Sequence, residues 1–174
     1  NGNVIFRIYQ DVTTDITCVS SNAYNDGLWH HVIGTYDGTS AKLYIDSVLV
    51  DSEDGTGTGV VYYVPDLIAI GRDGGNSEYY FNGNIKDVQY FDRALSDSEA
   101  ESIFEGDTIS SGLISRWLLN ETTGTIANDS VGANDGTIYG ASWVLFSGVR
   151  FRWGLSTNSI TKVYVEQDER ISEV

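Results

Sequence analysis

Apolar and polar positions alternate in short runs along most of the chain, and clusters of turn residues separate the runs, the pattern of antiparallel strands. Val4 to Tyr9 and Asp15 to Val19 predict a first hairpin, joined through Gln10-Asp11-Val12-Thr13-Thr14. Trp29 to Tyr36 and Lys42 to Asp46 predict a second hairpin across Asp37-Gly38-Thr39-Ser40. A tighter reversal at Ile45-Asp46-Ser47-Val48 adds Leu49-Val50, so three short strands form a meander. Leu67 to Gly71 reads as a short apolar strand, and Tyr79 to Phe91 as two strands broken at Asn82-Gly83. Period two puts Ile85, Asp87 and Gln89 on one face, with Lys86, Val88 and Tyr90 on the other. An acid sharing a face with isoleucine marks a sheet edge or a ligand site. One segment breaks the pattern: Leu95 to Phe104 predicts a short helix, with Ser96 as N-cap, Glu99 completing a capping box, and Ile103 and Phe104 anchoring the apolar face. Beyond it, Gly112 to Leu119 reads as a strand and Asn120 to Asn134 as a polar loop. Asn134-Asp135-Gly136 then turns into Thr137-Ile138-Tyr139, Ser142 to Trp153 reads as a strand pair, and Ile160 to Glu166 as a last strand. The fold class is all-β.

Composition supports that pattern. An apolar fraction of 41% with 12% aromatic residues excludes a disordered chain, and 19 glycines against one proline favour strands joined by tight turns. The 174 residues suffice for one full core. Ten basic against 25 acidic residues give a net charge of −15, which makes nucleic acid and anionic membranes poor partners. The acidic excess serves solubility or cation binding. No apolar run approaches the roughly 20 residues needed to cross a bilayer, so no membrane insertion is expected. Cys18 has no partner for an internal disulfide and reads as a small buried apolar residue. The absence of methionine implies that Asn1 is not a translation start, and that the chain is processed or cut from something longer.

Several motifs in order carry a family likeness: Asp26-Gly27-Leu28-Trp29-His30-His31-Val32, Gly34-Thr35-Tyr36-Asp37-Gly38, Lys42-Leu43-Tyr44-Ile45-Asp46, Ile70-Gly71-Arg72, and Phe81-Asn82-Gly83-Asn84-Ile85-Lys86-Asp87-Val88 through Arg93-Ala94-Leu95-Ser96. Together they resemble the laminin-G-like, pentraxin-like branch of the concanavalin A-like lectin/glucanase superfamily. The resemblance implies a jelly-roll β-sandwich of two antiparallel sheets with one short helix. A second stretch, Gly112 to Thr125 and Asn128 to Val144, resembles the segment that opens such a module, although here it follows the closing helix. Residues 1–106 are therefore read as a laminin-G-like core and 107–144 as opening-type strands that are permuted, tandem or exchanged. Residues 145–174 have no family assignment. An opening segment placed last implies a circular permutation, a piece straddling two modules, or strands completing a neighbouring copy.

The resemblance also directs attention to particular residues. Family glucanases carry Glu-x-Asp-x-Glu or Glu-x-Asp-x-x-Glu, with nucleophile and acid/base about 5–5.5 Å apart. Glu166-Gln167-Asp168 begins such a motif, but Arg170 and Ile171 stand where the third acid is needed, so no catalysis is expected. Cys18 has no supporting motif with His30 or His31. Those histidines read as structural, one packed near Trp29 and the other at the surface. Family members hold a structural calcium in loops like Asn128 to Gly136, which nominates Asp87, Asp129, Asn134 and Asp135 as ligands of Ca2+; turn formation is the competing role. Residues 51–59, in contrast, lack the acid spacing of an EF-hand. For a sugar, Tyr62, Tyr63, Tyr79 and Tyr80 supply a stacking platform or else pack within the sandwich. The resulting expectation is a non-catalytic recognition or adhesion module that binds a glycan or glycoprotein, in an extracellular, cell-surface or virion-surface protein. The alternatives are a structural subunit that self-assembles through exchanged strands and, more distantly, a glycoside hydrolase.

Overall fold

The computed structural model describes residues 2–9, 14–55, 68–72 and 80–144, together with the backbone of 154–156. The first hairpin is β1 (Asn3–Tyr9) paired antiparallel with β2 (Asp15–Ala23). Its alternation buries Val4, Phe6 and Ile8 from β1 and Ile16 and Cys18 from β2. Cys18 fills the apolar role expected of it. Its thiol donates to the Ala41 carbonyl at 3.4 Å, and burial pushes its pKa up to about 11.

The meander forms β3 (Val32–Tyr36), β4 (Ser40–Ile45) and β5 (Val48–Asp54). Asp46 and Ser47 make the β4–β5 reversal with φ of 51° and 69°, the paired left-handed conformations of a type I′ turn, whose twist matches the flanking strands. Val32, Tyr36, Ala41, Leu43 and Ile45 meet the β1–β2 hairpin in one cluster. Between Val32 and Tyr36 on that face lies Gly34. A Cβ built there would stand 2.2 Å from the Phe6 ring, so the close approach of β1 to β3 needs a residue without a side chain.

The remaining strands extend the same sheet. β6 (Val88–Phe91) pairs antiparallel with β7 (Leu113–Trp117), and β10 (Gly154–Ser156) lies between β3 and β6, parallel to both. The order across the sheet is β5-β4-β3-β10-β6-β7. The expected two antiparallel sheets are thus a two-stranded sheet over a six-stranded one that is parallel at its middle. No hairpin can supply a parallel neighbour, so this strand comes from far along the chain.

Register assigns the two faces. Gly34, Leu155 and Tyr90 lie abreast, so the β1–β2 side of the large sheet continues into the side of β6 and β7 bearing Val88 and Trp117. Val88, Trp117 and Ala127 form a second buried cluster there, with Ile85, Tyr90, Ile138 and Trp143 packed against it. This cluster holds a small ribbon of β8 (Ile126–Ala127) and β9 (Gly136–Thr137) over the sheet. The opposite face receives the helix α1 (Asp97–Glu105), whose Ala100 and Ile103 pack on Ile33, Tyr44 and Phe91.

Capping fixes where α1 starts and stops. Ser96 and Glu99 form the expected capping box, and Gly106 closes the helix at φ 108°. Arg93 forks onto Glu99 at 2.8 and 2.6 Å, while Asp97 accepts from Lys42 Nζ at 2.7 Å and Tyr44 OH at 2.6 Å, tying the first turn to β4. Ile103 is buried as expected, but Phe104 is 42% exposed.

Three sequence expectations change. The described residues of the Leu67–Gly71 stretch, 68–71, form no strand, and only an isolated bridge, Arg72 to Tyr80, follows them. Asn82-Gly83 does not join two strands, because β6 begins only at Val88. Ile85 does not share a face with Asp87 and Gln89. Asp87 has φ 54°, and this left-handed residue breaks the period-two alternation before β6, leaving Ile85 with Val88 and Trp117. Residues 142–144 are irregular, and the rest of the Ser142–Trp153 pair is outside the described residues, as is the Ile160–Glu166 strand.

Candidate functional site

Asp87 enters the site through its backbone. Aspartate tolerates the left-handed region better than most residues. Its amide donates to the Leu118 carbonyl at 3.1 Å, and its carboxylate is 4% exposed as a residue. Arg116 lies on β7 opposite Gln89 and on the same face. Its guanidinium forks onto Asp87, Nε to Oδ1 at 2.6 Å and Nη2 to Oδ2 at 2.8 Å, the bidentate geometry that makes an arginine–carboxylate pair strong. The bond to Asp87 raises the Arg116 pKa further, against the opposing effect of burial. Gln89 Nε2 reaches Asp87 Oδ1 at 3.5 Å.

The backbone of Arg116 engages the Asn128–Gly136 loop. β7 is the last strand of the sheet, and its outer N–H and C=O groups need partners. Asp129 Oδ1 accepts from the Arg116 amide at 2.9 Å, while the Ser130 amide and hydroxyl donate to the Arg116 carbonyl at 2.8 and 2.9 Å. Asp129 also gathers its own loop, accepting from the amides of Val131, Gly132 and Asn134 at 3.0, 2.9 and 3.2 Å. Burial pushes the Asp129 carboxyl up, but the amides of Arg116, Gly132 and Val131 outweigh it and hold the group well below the usual carboxylate range. Asp135 Oδ1 accepts from the Asp129 amide at 2.9 Å. Asn134 accepts from Trp117 Nε1 through its carbonyl and donates to Ser115 Oγ through its side chain, both at 2.8 Å.

The four nominated calcium ligands therefore converge on β7, but not around one point suited to a metal. Calcium wants six to eight oxygens with lone pairs directed at it. Both oxygens of Asp87 face a guanidinium, and those of Asp129 face amide hydrogens, so cationic or N–H donors hold the positions a cation would claim. Among the described residues, no group of three or more His, Cys, Asp or Glu side chains is placed to hold a metal. This donor set does not fit calcium.

Sequence reading missed Arg116 altogether. The available signal was a lone cation in the otherwise uncharged Leu113-Ile114-Ser115-Arg116-Trp117, the complement of the lone acid beside Val88. It also misplaced a histidine: His30 and His31 are both buried, at 8% and 2% exposure, so neither lies at the surface. They lie just before β3, and their rings meet different partners. His30 packs edge-on against Tyr24 at 4.9 Å and contacts Asp46 Oδ2 at 2.8 Å and Asp26 Oδ1 at 3.1 Å, whereas His31 faces the Phe104 ring at 5.8 Å. Asp46 serves both, since its Oδ1 accepts from the His31 amide at 2.8 Å.

Of the four nominated tyrosines, Tyr62, Tyr63 and Tyr79 lie outside the described residues. Tyr80 is 65% exposed and bridges Arg72, and the adjacent Phe81 amide donates to the Gly71 carbonyl at 2.8 Å. Ile68 and Ile70, on the first of these two segments, are also half-exposed. The result is a short antiparallel ledge with an outward aromatic ring.

A family model agrees with this architecture. Residues 1–101 match the Laminin_G_3 model, described as concanavalin A-like lectin/glucanases superfamily. The rat protein "Sushi, von Willebrand factor type A, EGF and pentraxin domain-containing protein 1" is 30% identical over 120 residues, covering 61% of this chain, and the mouse protein of that name is 28% identical over 120 residues. The chain spans about 3% of the length of these two relatives. Among solved structures, an S-layer domain-containing protein (residues 221–444) from Clostridium thermocellum is similar at 25% identity and a TM-score of 0.39, covering 59% of this chain and 52% of that one. With more than half of its length matched by the family model and a strand-built sandwich to go with it, the chain belongs to the laminin-G-like family of the concanavalin A-like lectin/glucanases superfamily.

Proposed function

We propose that this laminin-G-like module is a non-catalytic recognition element of a larger extracellular or surface protein, and that it binds a neutral glycan at the Arg72–Tyr80 ledge. The observation that carries the reading is Tyr80. An aromatic ring 65% exposed on a short paired segment offers a flat apolar surface for a pyranose ring, with the Arg72 backbone alongside to hold it in place. The net charge of −15 argues for a neutral sugar, because sulfated or sialylated chains would be repelled. The non-catalytic part rests on how the acids are used. Asp26 and Asp46 hold His30, Asp87 holds Arg116, Asp97 holds Lys42, and Glu99 holds Arg93, so each is committed to a structural partner. Among the described residues no helix is long and apolar enough to cross a membrane, and a module presented on a surface by flanking domains needs none.

Self-assembly by strand addition is the weaker reading. The outer strand β5 exposes Val48 and Leu49, yet it also bears Asp51, Glu53 and Asp54, so pairing with a copy of itself would oppose like charges.

The test is titration of the chain with neutral gluco-, manno-, galacto- and xylo-oligosaccharides by calorimetry, beside Tyr80→Ala. Saturable binding that weakens at least about tenfold in the variant, or about 1.4 kcal/mol, supports the proposal. If none of the four series binds, or if the variant binds as well as the parent, glycan recognition at this ledge is wrong.

A further inference from the structure

The geometry points to Arg116 as a built-in replacement for a metal ion: its guanidinium is the counter-charge that ties the segment entering β6 to β7, while its backbone carries the loop sealing β7, making the module independent of calcium. Three observations carry this. The Asp87–Arg116 fork is buried, with side chains 5% and 16% exposed, so the charge on Asp87 is neutralised where water cannot do it. Through its backbone, Arg116 is also bound by Asp129 and Ser130, so one residue connects the acid beside β6 with the acid of the loop. Finally, Asp129 is saturated by amides, with Gly132 pressed so close that a Cβ there would stand 2.6 Å from Asp129 Oδ2. A loop folded this tightly on its own carboxylate keeps its shape without an ion at its centre.

The arrangement also separates two tasks that a metal would combine. Neutralising Asp87 falls to a side chain, and shaping the loop falls to backbone N–H groups. Arg116 is outside residues 1–101 matched by the family model, whereas Asp87 is inside them. The ion pair therefore fastens the late segment to the laminin-G-like body and fixes its register through a fork that a lysine cannot reproduce.

Thermal unfolding of the full chain provides the test, measured with excess EDTA and with millimolar calcium chloride, for the parent, Arg116→Met, Arg116→Lys and the double variant Asp87→Asn/Arg116→Met. The parent's Tm is expected to be the same in EDTA and calcium. Arg116→Met, which strands a buried carboxylate, should melt about 10 °C lower. Arg116→Lys should fall between them, and the double variant should recover much of the loss because neither charge remains unpaired. A parent Tm several degrees higher in calcium than in EDTA overturns the proposal, as does an Arg116→Met variant that melts with the parent. Since the first comparison needs only the parent chain, a variant that fails to fold does not shield the proposal.

Discussion

Asp46 shows how much one residue can organise. Its left-handed backbone makes half of the β4–β5 turn, its amide donates to the His31 carbonyl at 2.9 Å, and its carboxylate takes the His30 ring and the His31 amide. The two adjacent histidines are therefore shifted in opposite directions. Burial lowers the His31 pKa from 6.5 to about 4, so its ring stays neutral in the fold. Burial also works against charge on His30, but the hydrogen bonds to Asp46 and Asp26 outweigh it and raise that pKa above 6.5. The consequences for stability have opposite signs. Below pH 6.5 the unfolded chain protonates His31 while the native chain does not, so stability falls progressively towards pH 4, by roughly 3 kcal/mol at most. The His30 contribution is complete below 6.5 and fades as the pH rises through its elevated native pKa. Ring-proton NMR should find one histidine titrating above 6.5 and its neighbour still neutral at pH 5, and His31→Gln should flatten the acid side of a Tm-against-pH curve. Two ordinary titrations near 6.5 would contradict both assignments. In the sequence these histidines read as structural from a strand predicted over Trp29 to Tyr36, whereas β3 starts only at Val32; which partners each would meet was not legible, because Asp46 is 15 residues from His31 and reaches it only through the meander.

At the scale of elements, what the sequence disclosed was local. The β1–β2 hairpin, the β3–β4–β5 meander and the Ser96–Glu99 capping box each depend on residues close in the chain, and each stands where the residue pattern puts it. Pairings between distant elements were hidden for the same reason. Gly34 looks like an ordinary weak point of a strand until Phe6, from β1, is seen to lie across it. Asp87 looks like part of a regular strand until its left-handed φ re-aims it at Arg116, 29 residues away. The Gly34 contact gives a sharp test of sheet-to-sheet spacing. Gly34→Ala adds one methyl group where a Cβ would be 2.2 Å from the Phe6 ring, and neither a central strand nor a buried aromatic can move aside cheaply. Urea unfolding should show a loss of about 2–3 kcal/mol, the range for overpacking a tight core. Pairing it with Phe6→Leu, which makes room, should return part of that loss as a favourable coupling, and strictly additive effects would mean that the two residues are not in contact.

For the whole molecule, the decisive feature is that the large sheet draws on strands from both sides of α1 in the sequence. β3, β4 and β6 come from the laminin-G-like part, yet the neighbours of β6 on its two sides are β10 and β7, which follow the helix. That β7 docks beside β6 was not legible in the sequence, because the contact joins Val88 to Trp117, 29 positions apart in the numbering. The docking has energetic content. Trp117, Ala127, Ile138 and Trp143 cover Val88 and Ile85, and the Arg116 fork neutralises Asp87, so a chain ending after Gly106 would expose an apolar patch, an unpaired strand edge and a buried carboxylate together. Light scattering should therefore find the full chain at its monomer mass of 19.1 kDa with one cooperative unfolding transition, and the shortened chain in larger species or unfolded. A full chain that scatters as a dimer or a concentration-dependent series would mean that β7 completes the sheet of a neighbouring copy. In that case Arg116 and Asp87 of different chains would form the pair, and mixing Arg116→Met with Asp87→Asn chains would produce oligomers in which one interface keeps both charges and the next keeps neither.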